Sequence, residues 1–288
     1  MKSLIEISEE HQNKVSDKWS FYLSKYNEIF ASFQKKENIS LLEIGVQNGG
    51  SLEIWYKYFK SVKNIIGCDI DESCEKLKFL EPEISMFVGD ANNREIQSAI
   101  LNICSDFDII IDDGSHFSSD IIKSFCTYYP HLKDGGIYVV EDLHCSYWNE
   151  YEGGLYYPFS SISFFKRLID ILNSEHWGLG DTTTETLNPF LSKYNFTITE
   201  ENLSHIHSVH FANSMCFIEK CVPTNNKLGK RLVFGTEAQV WNGAFCAAGS
   251  LSEPPPQEGN IWSSISRNSE NLSIFTCLSQ LYIPNVNN

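Results

Sequence analysis

Two apolar segments of the chain each end in a pair of carboxylates. Residues 107–116 read FDIIIDDGSH, and residues 136–144 read GIYVVEDLH. Because the carboxyl ends of neighbouring parallel strands meet at one edge of a sheet, we expect these side chains to share a crevice. The residues concerned are Asp112, Asp113, Glu141 and Asp142, with His116 beside them.

Such a cluster predicts a cation site next to a proton acceptor. Four carboxylates in one crevice repel one another unless a cation or shared protons relieve them. Oxygen donors of this kind favour Mg²⁺, Mn²⁺ or Ca²⁺ over zinc. His116 belongs to the residue type that most often serves as a general base, although it can also cap the following helix. Asp113-Gly114 can likewise be only a turn.

The elements that would position these residues alternate between strands and helices. The predicted strands are 40–46, 64–70, 84–90, 107–113 and 136–142, and the predicted helices lie near 50–60, 92–104 and 118–130. This alternation, with continuous apolar strands, predicts an α/β fold with a Rossmann-like, doubly wound parallel sheet covered on both faces.

Further elements flank the predicted sheet on both sides. They are an amphipathic helix at 16–34, an aromatic loop at 146–160, a helix at 161–173, and a hairpin of 203–211 and 214–220 with its turn at Ala212-Asn213. We therefore expect three regions. They are an N-terminal helical segment (1–38), the sheet domain (39–220) and a partly irregular C-terminal extension (221–288).

The first strand leads into its helix through EIGVQNGGS, which carries Glu43, Gly45 and Gly49. Glycines here allow the backbone to approach a ligand closely, beside the free N–H groups of a helix N-terminus. The spacing is E-x-G-x-x-x-G, whereas dinucleotide enzymes carry G-x-G-x-x-G. The loop is therefore a poor match to a pyrophosphate site.

Two further acidic residues end the next two predicted strands. Asp69 stands twenty residues beyond Gly49, where a carboxylate can accept both hydrogens of a ribose diol. Asp90 is placed to meet an adenine amino group. With no Lys or Arg near for phosphates, an adenosine ligand without phosphates fits best, and S-adenosylmethionine (SAM) is the common one. Each acidic residue can also be a solvated strand end.

Composition limits the classes of partner and compartment. The chain has 288 residues and a net charge of −15, with scattered basic residues, which argues against nucleic acid as main partner. Nine cysteines without a C-x-x-C pair suit a reducing cytoplasm. We find no apolar leader and no run approaching the ~20 apolar residues of a membrane helix. We expect a cytoplasmic protein without a membrane span.

Several motifs resemble one family. LLEIGVQNGGSLEIW, IIGCDID, FDIIIDDGSH and YVVEDLHCSYW are similar to motifs of the metal-dependent class I SAM O-methyltransferases of sugar and natural-product pathways. This group includes macrolide deoxysugar and tylosin-type O-methyltransferases and a set named after cephalosporin hydroxylase. The resemblance covers roughly residues 14–220, including the upstream SDKWSFYLSKYNEIF and the hairpin ending in FIEK.

The resemblance implies a seven-stranded sheet whose last hairpin inserts one antiparallel strand. It implies a SAM- and Mg²⁺-dependent O-methyltransferase (another divalent cation is possible) that acts on a sugar hydroxyl of a glycoside, a nucleotide sugar or a surface polysaccharide. His116 matches the general base. The implied metal ligands are Asp113, Glu141 and Asp142, and the implied SAM positions are Glu43, Gly45, Gly49, Asp69 and Asp90. A homo-oligomer is also expected.

Alternatives remain open at this point. Asp112 can line the cofactor cleft or be structural, and His144 is a rival base. Glu141 and Asp142 can instead bind a substrate amine without metal, which would make the enzyme an N-methyltransferase of an amino sugar. A non-catalytic partner subunit and an NAD-dependent oxidoreductase are the rivals from other classes. A metal site at His205 and His207 is a minor possibility.

Overall fold

The computed structural model describes residues 2–257 together with Asn260 and Ser263. Its centre is a seven-stranded sheet with the order β3-β2-β1-β4-β5-β7-β6. The strands are Ile39–Ile44 (β1), Val62–Asp69 (β2), Ile84–Val88 (β3), Phe107–Asp112 (β4), Leu132–Val140 (β5), Ile206–Ala212 (β6) and Met215–Lys220 (β7). The first five are parallel, and β7 runs antiparallel to both neighbours, which confirms the predicted fold class.

Eight α-helices accompany the sheet in the described part of the chain. They are Leu4–Glu9 (α1), Ser20–Ile29 (α2), Gly50–Tyr58 (α3), Arg94–Ile103 (α4), Ser118–Tyr128 (α5), Ser161–Leu172 (α6), Asn188–Tyr194 (α7) and Glu200–Ser204 (α8). None of these helices is long and apolar enough to cross a membrane.

Each strand contributes to two apolar layers, as its alternating side chains require. Leu42 and Ile110 belong to a cluster that includes residues of α4, α5 and α6, whereas Leu41 and Ile109 belong to a cluster that includes residues of α1, α2 and α3. All four residues are completely buried. The central strands are therefore covered on both faces, as their continuous apolar sequences predict.

The register of the central strands brings the acidic pairs to one level. Ile44 pairs with Asp112, and Asp112 pairs with Val140. The next residue after each strand therefore leaves the sheet at the same edge. Glu141 and Asp142 follow β5 directly and so enter the same crevice as Asp113.

The N-terminal segment differs from the single predicted helix at 16–34. The α-helix starts only at Ser20, and Phe30–Lys35 forms a 3₁₀ turn after it. The backbone N–H of Gly50 donates to the carbonyl of Val15 at 3.1 Å, which holds the preceding residues against the start of α3. Tertiary contact at this point replaces the helical hydrogen bonds that the amphipathic pattern predicts.

Two other boundaries differ from the predictions. Strand β5 begins at Leu132, four residues before its predicted start, and contains the Gly135-Gly136 pair that obscured it in the sequence. Ala212 pairs with Met215, so the hairpin turn is Asn213-Ser214, with Ser214 in the left-handed region at φ 68°.

The expected C-terminal extension is described only up to residue 257, apart from Asn260 and Ser263. Its described part contains the 3₁₀ turns Pro223–Asn226 and Asn242–Ala247 and no strand. The expectation for most of residues 258–288 lies outside the described residues.

Gly45 is the position where the fold depends most clearly on glycine. Its φ is 86°, and a Cβ atom there would lie 1.9 Å from the carbonyl oxygen of Asp113. Gly135 also has a positive φ, of 80°, but a Cβ would meet no atom within 4 Å.

We predict that Gly45→Ala lowers the free energy of unfolding by about 2–5 kcal/mol, because left-handed strain and a backbone clash add together. The control Gly135→Ala carries the strain alone and should lose about 1–2 kcal/mol. Urea unfolding of both variants measures the difference. Equal losses in the two variants would contradict the close approach of Asp113 to Gly45.

Candidate active site

A cleft of about 620 Å³ opens at the carboxyl edge of the parallel strands. Small-molecule sites usually fall between about 300 and 1,000 Å³. Eight of the ten predicted site residues line it, namely Gly45, Asp69, Asp90, Asp112, Asp113, His116, Glu141 and Asp142. Glu43 and Gly49 lie outside this lining, and a cofactor contact for either residue stays a prediction.

Glu43 and Gly49 instead have roles behind the cleft wall. Glu43 is fully buried and accepts hydrogen bonds from Ser51 Oγ at 2.9 Å and Trp55 Nε1 at 3.2 Å. Gly49 precedes α3 with φ 81°, and a Cβ there would come within 3.0 Å of the Phe79 ring. Both residues therefore fix the turn that follows β1.

Asp69 is held rigidly at the end of β2. Its carboxylate accepts backbone N–H groups from Val46 at 2.8 Å, Gln47 at 2.7 Å and Asp71 at 2.9 Å. Each carboxylate oxygen has further lone pairs for a ligand. Asp90 is exposed at the end of β3 and accepts the N–H of Asn92 at 2.8 Å.

Three predicted site residues come together closely enough to share a cation. Ligand atoms of Asp113, His116 and Asp142 all lie within 4.8 Å of one another. Asp142 and His116 both adopt left-handed backbone, with φ 50° and 62°. For residues other than glycine this conformation is uncommon and is concentrated at functional sites.

Glu141 is placed differently from the other predicted ligands. It is 1% exposed, and its Oε1 accepts hydrogen bonds from Lys18 Nζ at 2.7 Å and from Tyr26 Oη at 2.5 Å. It lines the cleft but is not part of the close group formed by Asp113, His116 and Asp142. Its oxygen already has a cationic partner.

Lys18 connects the buried acidic residues. Its side chain is 8% exposed, and its ammonium contacts Asp113 Oδ2, Glu141 Oε1 and, at 3.7 Å, Glu43 Oε1. Burial alone would lower the pKa of Lys18, but these three carboxylates outweigh it and hold the pKa well above its usual value. Lys18 is therefore a cation within this site.

Burial is the largest cause of the raised pKa values of the carboxyl groups around Lys18. It raises the pKa of Glu43, Asp112 and Glu141 to about 7. It raises the pKa of Asp113 to about 6, while Lys18 acts in the opposite direction. This edge of the sheet thus has more carboxyl groups than positive charges to pair with them.

A hydrogen-bonded chain fixes Asp142 from the other side. Tyr22 Oη donates to Asp142 Oδ1 at 2.6 Å and lies 2.7 Å from Ser214 Oγ. Ser214 Oγ is in turn 2.5 Å from His144 Nδ1. His144 thus bonds the hairpin turn, whereas His116 Nε2 faces Asp142 Oδ2 at 3.6 Å. Of the two histidines, the structure places His116 nearer the group of potential ligands.

A series of aromatic rings connects Trp19 and His116, which both line the cleft. His144 packs edge-on against Trp148 and Trp19, with centroids 4.9 and 6.4 Å apart. Trp148 continues to Tyr151 at 6.1 Å, and Tyr151 contacts His116 at 6.3 Å. We name this series of rings, Trp19, His144, Trp148, Tyr151 and His116, the aromatic arc. Trp19 and Trp148 are 62% and 47% exposed.

Comparison with known proteins finds relatives that share part of this chain. The chain is 36% identical over 168 residues to the 8-demethyl-8-alpha-L-rhamnosyl tetracenomycin-C 2'-O-methyltransferase of Streptomyces olivaceus, covering 55% of this chain and 43% of that protein. It is 30% identical over 222 residues to demethylmacrocin O-methyltransferase of Streptomyces fradiae, covering 72% of this chain and 51% of that protein. No family model matches the sequence.

A solved structure agrees with these relatives. The MycE methyltransferase from the mycinamycin biosynthetic pathway, in complex with Mg, SAH and mycinamycin VI, superimposes with a TM-score of 0.61 and 26% identity. The alignment covers 76% of this chain and 54% of that one. Over this part, the chain is similar in sequence and in fold to O-methyltransferases. The chain spans about half the length of the curated relatives it matches.

Sequence reasoning missed Lys18, Tyr22, Tyr26 and Ser214 as parts of the site. Lys18, Tyr22 and Tyr26 recur at intervals of four residues, which places the two tyrosines on one side of α2. That spacing is a usable signal, because polar groups repeated on a buried helix face need partners. Ser214 carries no comparable signal, since its role depends on the hairpin turn.

The hairpin histidines do not form the minor metal site considered above. His205 Nδ1 lies 2.9 Å from Asp134 Oδ1, and His207 Nδ1 lies 2.7 Å from Asn226 Oδ1. His205 stands at the end of α8, before β6 begins. Among the described residues, the close ligand group lies at the carboxyl edge of the sheet instead.

We predict that Asp112→Asn changes the pH dependence of stability in the metal-free protein. A raised carboxyl pKa stabilises the folded state at low pH, and this contribution is lost as pH rises from about 4 through about 7. Asn cannot ionise, so the variant should match wild type near pH 4 and exceed its unfolding free energy near pH 8, by on the order of 1–3 kcal/mol.

Urea unfolding at several pH values measures this difference, with Asp106→Asn as the same substitution at an exposed position before β4. A loss of stability in Asp112→Asn that is equal at both pH values would contradict the argument.

Proposed function

We propose that this protein is a SAM- and Mg²⁺-dependent O-methyltransferase that acts on a sugar hydroxyl of a small-molecule glycoside. The observation that carries the proposal is the group of Asp113, His116 and Asp142, which lies in the same cleft as the cofactor residues predicted after β1, β2 and β3. Similarity to O-methyltransferases supports the reaction class.

The cofactor half of the cleft fits an adenosine ligand. Gly45 leaves room for close backbone approach, Asp69 offers carboxylate lone pairs for a ribose diol, and Asp90 is exposed to solvent at the next strand end. In the described part of the chain, Lys18 is the only Lys or Arg that lines the cleft. Its ammonium is engaged by carboxylates, which favours a ligand without phosphates.

The donor set fits a hard divalent ion. Two carboxylates and an imidazole lie within reach of one point, and Glu141 is adjacent. We assign Asp113, Asp142 and Glu141 as the residues that would hold Mg²⁺. Bound there, the ion would lower the pKa of a sugar hydroxyl and fix its orientation for methyl transfer.

His116 is suited to take the hydroxyl proton. Burial lowers the pKa of His116 from its usual value, although Asp142 acts in the opposite direction. The ring is therefore neutral near pH 7 and can accept a proton. Asp142 is well placed to orient the ring through the 3.6 Å approach to Nε2.

The aromatic arc favours a glycoside as the acceptor. Trp19, which lines the cleft, and Trp148, which packs against His144 and Tyr151, have exposed faces that can stack on a sugar ring. A nucleotide sugar would bring a diphosphate to a cleft already crowded with carboxylates. The relatives are named for sugars attached to small natural products, which supports a small glycoside over a surface polysaccharide.

We predict that cofactor and metal binding separate by mutation. Asp69→Ala should weaken SAM binding at least about tenfold, because a charge-assisted contact is lost, and should leave Mn²⁺ binding near wild type. Asp142→Asn should instead weaken Mn²⁺ binding and leave SAM binding near wild type. Calorimetric titration of each ligand into each variant gives the four affinities. Parallel loss of both ligands in both variants would contradict the separation of roles.

We predict that Trp148→Ala raises the KM for a glycoside acceptor about two- to tenfold, because stacking area is lost, with SAM affinity unchanged. Trp241→Ala is the control, since Trp241 is also exposed, at 62% against 47% for Trp148, but does not belong to the aromatic arc. Steady-state kinetics with rhamnosyl or deoxysugar glycosides measures the change. An unchanged KM in Trp148→Ala would remove the arc from acceptor binding.

A further inference from the structure

The Lys18 ammonium contacts the carboxylate oxygens that would bind a metal ion. Its ammonium contacts Asp113 Oδ2 and lies 2.7 Å from Glu141 Oε1, and both residues are assigned above as metal ligands. Hard divalent ions prefer the same carboxylate oxygens. One group of oxygens therefore faces two different cations.

The Lys18 ammonium does not neutralise all the carboxylates around it. Glu43 Oε1 is fully buried and has no hydrogen-bond partner, although Lys18 Nζ is only 3.7 Å away. Lys18 thus supplies one positive charge to Glu43, Asp113 and Glu141. Carboxylates buried without enough positive charge attract a further cation or keep their protons.

The backbone that carries Lys18 is held in place, whereas its side chain is long. The carbonyl of Val15 accepts the N–H of Gly50 at 3.1 Å, and Lys14 Nζ bonds Glu53 Oε1 at 2.5 Å. Lys18 and Trp19 line the cleft from this segment. A lysine side chain has four methylene groups. Its ammonium can therefore move away from the carboxylates into the cleft while the backbone stays in place.

We propose that Lys18 is a built-in competitor of the divalent ion: its ammonium holds Asp113 and Glu141 while the site is free of metal and releases these oxygens when the ion binds. The inference rests on the metal site of the proposed function. It makes two statements about the protein. Lys18 keeps the metal-free fold stable, and it weakens the affinity for the ion.

The test compares Lys18→Met, Lys18→Arg and wild type by calorimetric titration with Mn²⁺. Met keeps the length of the side chain and removes the charge, whereas Arg keeps the charge. Lys14→Met is the matched control, because Lys14 belongs to the same segment and also pairs with a buried carboxylate, but one outside the cleft. Thermal unfolding in EDTA and in saturating Mn²⁺ is recorded for all four proteins.

We expect Lys18→Met to bind Mn²⁺ at least about tenfold more tightly than wild type, since one nearby positive charge is removed. Lys18→Arg and Lys14→Met should stay near the wild-type affinity. Lys18→Met should unfold at a lower temperature than wild type in EDTA and regain most of the difference in Mn²⁺.

Three results would overturn the proposal. Equal or weaker Mn²⁺ binding in Lys18→Met would make Lys18 a fixed structural partner of Glu141. A Lys18→Met protein that stays unfolded even in saturating Mn²⁺ would show that the ion cannot replace the ammonium. The third result is absence of Mn²⁺ binding in both wild type and variant, with SAM binding intact. It would also remove the metal from the proposed function, so failure of the competitor proposal alone can be told apart from failure of the metal site itself.

Discussion

The structure depends on how strand β4 balances charge at its two ends. At the amino end, Asp108 is fully buried but faces two lysines, with Lys36 Nζ at 2.7 Å and Lys133 Nζ at 2.8 Å. Burial alone would raise the pKa of Asp108, yet these lysines hold it below its usual value. At the carboxyl end, one ammonium from Lys18 serves three carboxylates. At the first end one carboxylate faces two ammonium groups, whereas the second end keeps capacity for another cation.

This imbalance links parts of the chain that are distant in sequence. The N-terminal segment brings Lys18 to the end of β4, and α2 adds the Tyr26 hydroxyl at Glu141 and the Tyr22 hydroxyl at Asp142. The last hairpin contributes Ser214, whose carbonyl accepts the N–H of Leu143 at 2.9 Å. The flanking elements therefore complete the site as well as covering the sheet.

The sequence was sufficient for the sheet and for the acidic residues at its edge, because continuous apolar runs and their following carboxylates are local patterns. It was insufficient where a contact between distant segments decides the outcome. The helix predicted from residue 16 starts at Ser20 because Val15 bonds Gly50. Glu43 belongs to the expected motif, yet it is fully buried beneath the cleft and bonds Ser51 and Trp55. Hydrophobic periodicity predicts neither result, because both depend on contacts between segments that are distant in sequence.

The topology explains why the cleft has two chemically different halves. The chain order reverses between β1 and β4, and ligands of doubly wound sheets bind at such a reversal. Asp69 and Asp90 follow β2 and β3 on one side, whereas Glu141 and Asp142 follow β5 on the other. Asp113 lies at the boundary, where its carbonyl approaches Gly45 and its carboxylate faces Lys18. A methyl group carried on the first side and a hydroxyl held on the second would therefore meet beside Asp113, so a shift in its backbone would disturb both halves together.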